Sequence, residues 1–452
     1  MTFSRKFANY VVSHKYEHLT KQAITLSKLS ILDWLGSAIA GGNEKPAQIL
    51  SESLSQFGGC PQATNFVTFE KTSAHSASLI NGGASHILEV DDVHKASILH
   101  AGASIIPAAF AVAEWKNCSG KQLIEAVALG YEVAIRIGEA VTPSHYEIFH
   151  TTGTVGTFGA AIAAGKILNL NEDEMVFALG SAGTQAAGLW EFIEDGAMSK
   201  QLHPAKAAAN GLLSAILAQG KFTAATQILE GRRGFFAGLV PEVNENLLFH
   251  QFGEGYKITE NTFKIYSCCR HIHPTLDCLL DIYHEKGCRV DEISQVVVET
   301  YQVALNITNK PNPHSVFESK FSLPYTSSLM LCKGKAGLNE FIDENLNDPQ
   351  IRSLSEKVVL HVNPELDALY PKQWPARVTV QYKDGTSITK ETFYPKGDPE
   401  NPASEYELIE KFSGLALEVL DKEEVMKIIN QIMSLELVEQ VSSIISDFVM
   451  IE

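Results

Sequence analysis

The sequence predicts a mainly α protein: a large all-helical domain joined to a smaller α+β domain. Three observations point there. The first half is rich in alanine and glycine, with apolar residues at helical spacing. β-Branched, alternating runs begin only after about residue 285. Those runs are bunched together instead of alternating with helices, which argues against a Rossmann or TIM architecture. The helical domain is expected over 1–255, completed by 395–452, with the α+β domain over 256–394.

In the segment 121–141, Leu123, Ala126, Val127, Gly130, Tyr131, Ala134 and Ile135 recur at helical spacing. "NEDEMVFALGSAGTQAAGLW" opens with acidic residues, and Asn171 is a plausible cap. The small side chains here let helices approach closely. Later, "DEISQVVVET" and "EKVVLHV" read as strands, and 377–393 reads as a hairpin turning at Asp384–Gly385. Between them "SSLMLCKGKAGLNEFIDENL" reads as helical. "KGDPENPASEYELIEKFSGLALEVL" passes through a Pro/Gly-rich loop and returns to helix, rejoining the first domain. There is no tandem repeat and no low-complexity tract.

A length of 452 residues suggests more than one domain, and 45% hydrophobic with 20% charged residues supplies ample core. The 36 basic and 53 acidic side chains give a net charge of −17. That excludes nucleic acid as an expected partner, and an anion site would need its own local cations. The N-terminal stretch has no apolar run of signal-peptide length, and no run of about 18 apolar residues occurs. "ASIIPAAFAVAEW" is too short and contains Pro107. The chain is therefore expected to be soluble and cytoplasmic, with no membrane partner. The seven cysteines are odd in number and lack Cys-x-x-Cys spacing, so neither a disulfide framework nor a zinc ribbon is expected.

The stretch "EVDDVHKASILHAG" brings together Asp91, Asp92, His94 and His100. It could be a metal site, a metal-free acid/base site or satisfied core. The metal reading lacks His-Glu-x-x-His or any second Cys/His motif, so no metal is assigned. Gly153, Gly156 and Gly159 suggest a phosphate loop, but Ala160 stands at the first glycine position before Gly165–Lys166, and Ile167 follows the lysine. They read better as packing glycines at a helix start, where free N–H groups favour a carboxylate. No Gly-x-Ser-x-Gly occurs, and nothing marks Cys269 as a nucleophile. Cations cluster twice: Lys200, His203 and Lys206 at i,i+3 spacing, and Lys264, Tyr266, Arg270, His271 and His273 in "FKIYSCCRHIHP".

"EVDDVHKASILHAGASIIPAA", "HTTGTVGTFGAAIAAGKIL", "MSKQLHPAKAAANG", "KIYSCCRHIHPTLD" and "ESKFSLPY" stand in this order along nearly the whole chain. Together they resemble the MmgE/PrpD family, which includes 2-methylcitrate dehydratase, cis-aconitate decarboxylase and iminodisuccinate epimerase. The resemblance implies a homodimer whose subunits each have a large helical domain and an α+β lid, with the active site in the cleft between. It also implies catalysis on a small di- or tricarboxylate without metal or organic cofactor.

The resemblance places active-site positions at Asp91, His100, His150, Lys200, Lys264 and Tyr325, with Asp92, His94 and Ser97 nearby. His203, Lys206, Cys269 and His273 are expected to join the substrate-binding set. Proton removal beside a carboxylate builds charge on an anion, so lysines and histidines suit it. On this reading His150 or His100 is the base or acid, and Asp91 tunes a histidine. Lys200 and Lys264 polarise carboxylates, and Tyr325 completes the pocket. Cys269 stands where the decarboxylases carry a histidine. The stretch after the aspartates lacks the tryptophan segment of the 2-methylcitrate dehydratases. The expected activity is a 2-methylcitrate dehydratase-like lyase. Alternatives are cis-aconitate decarboxylase forming itaconate, an epimerase of an imino- or aminodicarboxylate, and a non-catalytic polycarboxylate binder.

Overall fold

The computed structural model describes residues 1–287 and 289–445, without the side chain of residue 195. It divides into two units, one formed by Met1–Thr262 with the chain from Ser404 onward, the other by Phe263–Ala403. Both borders lie a little later than the change in sequence character suggests. Local pairing explains this. Val93 pairs with Thr262, and Glu132 accepts from the Lys257 N–H at 2.6 Å, so 256–262 stay with the helices. On the other side, Gly397 accepts from the Phe263 N–H at 3.1 Å, and Asp398 pairs with Arg270.

The helical unit is built around Thr151–Ile167, in which every residue except Lys166 is buried. A helix apolar on all sides belongs in a core. Against it pack Ala101–Trp115, Gly120–Val141, Glu172–Gln185 and Leu202–Gln219. Gly120–Val141 is the helix expected over 121–141, started by a capping box between Ser119 and Gln122. Asn171 caps Glu172–Gln185 by accepting from the Glu174 N–H at 3.0 Å. The glycines of "TTGTVGTFG" serve packing: a Cβ at Gly159 would lie 2.7 Å from Ile105 and 2.8 Å from Ala134.

Two features of this unit were not foreseen. One is a short antiparallel ladder, β1 (Ala63–Thr64) with β2 (Lys71–Thr72). The other is the helix Lys21–Gly41, long and apolar enough to cross a membrane by length and composition. Of its most apolar window, 83% is buried inside the protein. Its buried charged residues are paired there, Lys28 with Glu436 and Asp33 with Lys411. Among the described residues no other helix meets that length and hydropathy.

The α+β unit carries a four-stranded sheet of β3 (Ile293–Thr300), β4 (Val358–Val362), β5 (Ala376–Tyr382) and β6 (Ser387–Thr392), in the order β4-β3-β5-β6. β3 and β4 run parallel and the other pairs antiparallel. Alternation shows in β5, where Ala376, Val378, Val380 and Tyr382 are buried. The β5–β6 hairpin turns at Gly385, whose φ of 86° suits glycine. His273–Lys286 packs on β5 and β6, and Leu323–Lys333 on β4. The stretch 327–346, read as helical, is interrupted: Gly334 at φ 67° closes the first helix, and only the short turns Leu338–Glu340 and Asp343–Leu346 follow.

Candidate active site

Within the helical unit, the segment from His86 to His100 is a folded loop between two helices. His86 is the C-terminal cap of Ala74–Ser85, and His100 is the residue before Ala101–Trp115. A bridge between His94 and Leu99 folds the loop back on itself, and one between Val93 and Thr262 ties it to the segment before the second unit. Glu89 (φ 60°) and Ile98 (φ 48°) adopt left-handed backbone that non-glycine residues rarely take. The result brings His100 back beside Asp91. His150 occupies the equivalent place before Thr151–Ile167, and the His100 N–H donates to Thr152 Oγ1 at 3.2 Å.

Four imidazoles gather there. His86 Nδ1 lies 2.7 Å from Asp91 Oδ2, and His100 Nδ1 lies 3.1 Å from the same oxygen. The His86 ring is 4.7 Å from that of His100 and stacks at 5.6 Å on that of His150. His150 Nδ1 lies 3.1 Å from His203 Nδ1, so one of the two must carry the shared proton. Lys200 is in an ion pair with Glu89. The structure thus joins Asp91, His100, His150, Lys200 and His203, and adds His86 and Glu89, which the motif reading did not include. Glu89 lies inside the quoted stretch, while His86 falls just outside it.

The charges follow from burial. Burial alone would raise the Asp91 carboxyl, but His86 and His100 outweigh it and hold it well below the usual carboxylate range. Burial, only partly opposed by Asp91, pulls His86 down to about 4. Burial together with His86, His100, Lys200 and His203 holds His150 well below the ordinary histidine value. Burial, then His86, Lys200 and Lys206, lowers His203 to about 4. At neutral pH this is an ionised aspartate facing uncharged His86, with uncharged His150 and His203 alongside. An uncharged imidazole is the form that can accept a proton.

Other expected residues have different surroundings. Asp92 accepts from the Gly102 N–H at 2.9 Å, and from Tyr131 Oη and Asn261 Nδ2 at 2.6 Å each. Through these three bonds it buttresses the loop. His94 Nδ1 is 2.9 Å from Ser97 Oγ, and its Nε2 approaches Glu139 and Glu260 at 3.9 and 3.7 Å. Lys257 pairs with both glutamates. His94 and Ser97 therefore belong to a separate ion-pair network. Lys206 is exposed on Leu202–Gln219 and reaches His203 only through its charge.

The remaining candidates lie in the α+β unit. Lys264 is 2% exposed, and its charge acts on Cys268 and His271. The Cys269 N–H donates to Lys320 O at 2.9 Å. Both ring nitrogens of His273 are engaged, Nδ1 by Arg270 Nη1 at 2.7 Å and Nε2 by Cys268 O at 3.3 Å, which ties the start of His273–Lys286 in place. Tyr325 is fully buried in Leu323–Lys333, with no hydrogen-bond partner for its hydroxyl among the described residues. Burial pushes it up to about 12.

Two groups have ligand atoms close enough to consider for a metal, His86–Asp91–His100 and His94–Glu139–Glu260. Two donors on one zinc ion stand roughly 3.3 Å apart, from bond lengths near 2.0 Å at tetrahedral angles. The 2.7 Å between His86 and Asp91 is instead a hydrogen-bond distance. In the second group Lys257 already neutralises the carboxylates. Neither group fits a metal as arranged.

Comparison with known proteins matches the MmgE/PrpD N-terminal domain over residues 5–246 and the MmgE/PrpD C-terminal domain over residues 266–437. Cis-aconitate decarboxylase of Aspergillus terreus is 26% identical over 454 residues, covering 95% of this chain and 92% of the relative. The Homo sapiens cis-aconitate decarboxylase is 27% identical, covering 98% and 93%, and that of Mus musculus 28%, covering 97% and 92%. With both family domains matched in order along most of its length, the chain belongs to the MmgE/PrpD family.

Proposed function

We propose that this lyase decarboxylates cis-aconitate by proton transfer through His150 and His100, without metal or organic cofactor. The observation that carries the reading is one cluster of four imidazoles, two of them on the Asp91 carboxylate, with Lys200 close by. Relatives named cis-aconitate decarboxylase, aligned over nearly the full length of both partners, favour this substrate over 2-methylcitrate. Cys269, where a histidine was expected in a decarboxylase, weighs less when imidazoles are this plentiful in the helical unit.

The roles follow from charge state. The uncharged His150 takes up from solvent the one proton that decarboxylation consumes. Facing the negative Asp91, His100 delivers that proton to the substrate. As the C–C bond breaks, carbon dioxide leaves, and the electron pair left on the substrate takes up that proton. Lys200 stabilises the negative charge that develops, exchanging Glu89 for a substrate carboxylate. On this reading the protein works as a homodimer. The same set supports a second reading, dehydration of 2-methylcitrate, in which the acid protonates a departing hydroxyl.

The test is to incubate chelator-treated protein with cis-aconitate, 2-methylcitrate or iminodisuccinate and follow products by NMR. Decarboxylation of cis-aconitate is expected. Turnover of 2-methylcitrate alone would select the second reading. Activity lost on chelation and restored by metal, or no turnover of any of the three, would overturn the proposal.

A further inference from the structure

We propose that His86 is a positioning residue that fixes the Asp91 carboxylate and, through it, the imidazole of His100. The kinetic part of its test rests on the lyase reading above; the spectroscopic part does not.

His86 is fully buried and touches all three groups of the candidate proton-transfer set. It bonds to Asp91, stacks on His150 and meets His100 edge to face. Its backbone is tied to the end of Ala74–Ser85, where its N–H donates to the carbonyls of Gly83 and Ala84. The ring thus starts from a rigid element.

The two histidines on Asp91 are not equivalent. His86 Nδ1 makes an aligned hydrogen bond to Oδ2 at 2.7 Å. His100 Nδ1 is 3.1 Å from the same oxygen but lies off the hydrogen-bond direction. Asp91 Oδ1 has no partner among the described residues. The bond from His86 is therefore the one that sets the carboxylate's orientation. With the proton on its Nδ1, His86 leaves the negative charge on Asp91 intact, facing His100. The other charged and titratable groups around it are Glu89, Lys200, His150 and His203.

Two variants separate positioning from packing. His86→Phe keeps a ring in the stack and removes the donor. His86→Asn gives up the ring and keeps an amide N–H near the place of Nδ1. For the polycarboxylate that the wild type turns over, His86→Phe is expected to lower kcat about tenfold or more with KM nearly unchanged, and His86→Asn to recover much of that loss. Independently of turnover, the histidine ring-nitrogen NMR signals of uniformly labelled, substrate-free protein should show a changed His100 tautomer balance in His86→Phe. Should His86→Phe not fold, His86→Gln, whose amide reaches toward the place of Nε2, takes over as the variant lacking the Asp91 bond. Wild-type kcat in the variant without the donor, or His100 signals unaltered by it, would overturn the inference. A wild type inert toward polycarboxylates would sink the lyase reading alone, and the NMR comparison would still decide the role of His86.

Discussion

Asp91 and Asp92 are neighbours in sequence and both are buried, yet their partners differ. Asp91 faces two imidazoles, whereas Asp92 accepts from Gly102, Tyr131 and Asn261. Sequence alone could not divide them, because adjacent residues on a loop carry no periodicity to say which side each faces. Tyr131 registered in the sequence only as one apolar position on a helix. Asp92→Ala leaves the tyrosine hydroxyl, the asparagine amide and a backbone N–H without their acceptor. It is expected to cost about 3 kcal/mol or more in urea unfolding, since each buried unpaired group costs about 1–3 kcal/mol. Stability within 1 kcal/mol of wild type, on the order of one lost ordinary hydrogen bond, would contradict the buttress role. His86 escaped sequence reading for a related reason: its contact with Asp91 is made by a loop whose path depends on left-handed backbone at Glu89 and Ile98.

Elements with a strong period were legible: the helix Gly120–Val141, the cap at Asn171 and the hairpin at Asp384–Gly385 all stand where the pattern puts them. Elements governed by close approach or by a single left-handed residue were less so. Gly334 ends a helix that the apolar pattern would carry on, and the β1–β2 ladder is too short to show alternation. The glycines of Thr151–Ile167 admit two readings in sequence, and packing distances favour one. At Gly159 an added methyl meets Ile105, whose tip can move, and the Ala134 Cβ, which cannot. Gly159→Ala is therefore expected to destabilise by about 1–3 kcal/mol, read as a lowered melting temperature. An unchanged or raised melting temperature would show that the helices part easily.

At the scale of the whole molecule, the two-unit organisation was legible from the change in composition, while the borders were set by individual pairs such as Val93 with Thr262. Burial of titratable groups also gives the molecule a pH signature. His14, His86 and His203 are lowered to about 4 and His271 to about 3, with His75, His145 and His150 lowered as well, in each case chiefly by burial. Below about pH 6.5 the unfolded chain binds protons at these residues and the folded one does not, so stability falls as pH drops toward 4. Asp33 and Asp277, raised to about 6 by burial, together with the raised Asp92, Glu125 and Glu132, work in the opposite sense. The seven imidazoles outnumber the five carboxyls, and their effect begins at higher pH. A melting temperature that falls between pH 7 and pH 5 is expected; one that rises would contradict these charge states. The central claim is that the histidine set carries the proton in a decarboxylation. Its most direct measurement is turnover of cis-aconitate in heavy water by the wild type and by His150→Ala, with folding checked by circular dichroism. The account predicts a wild-type product carrying solvent deuterium and a rate in the folded variant lower by a factor of about 100 or more; a folded His150→Ala that turns cis-aconitate over at the wild-type rate would contradict it.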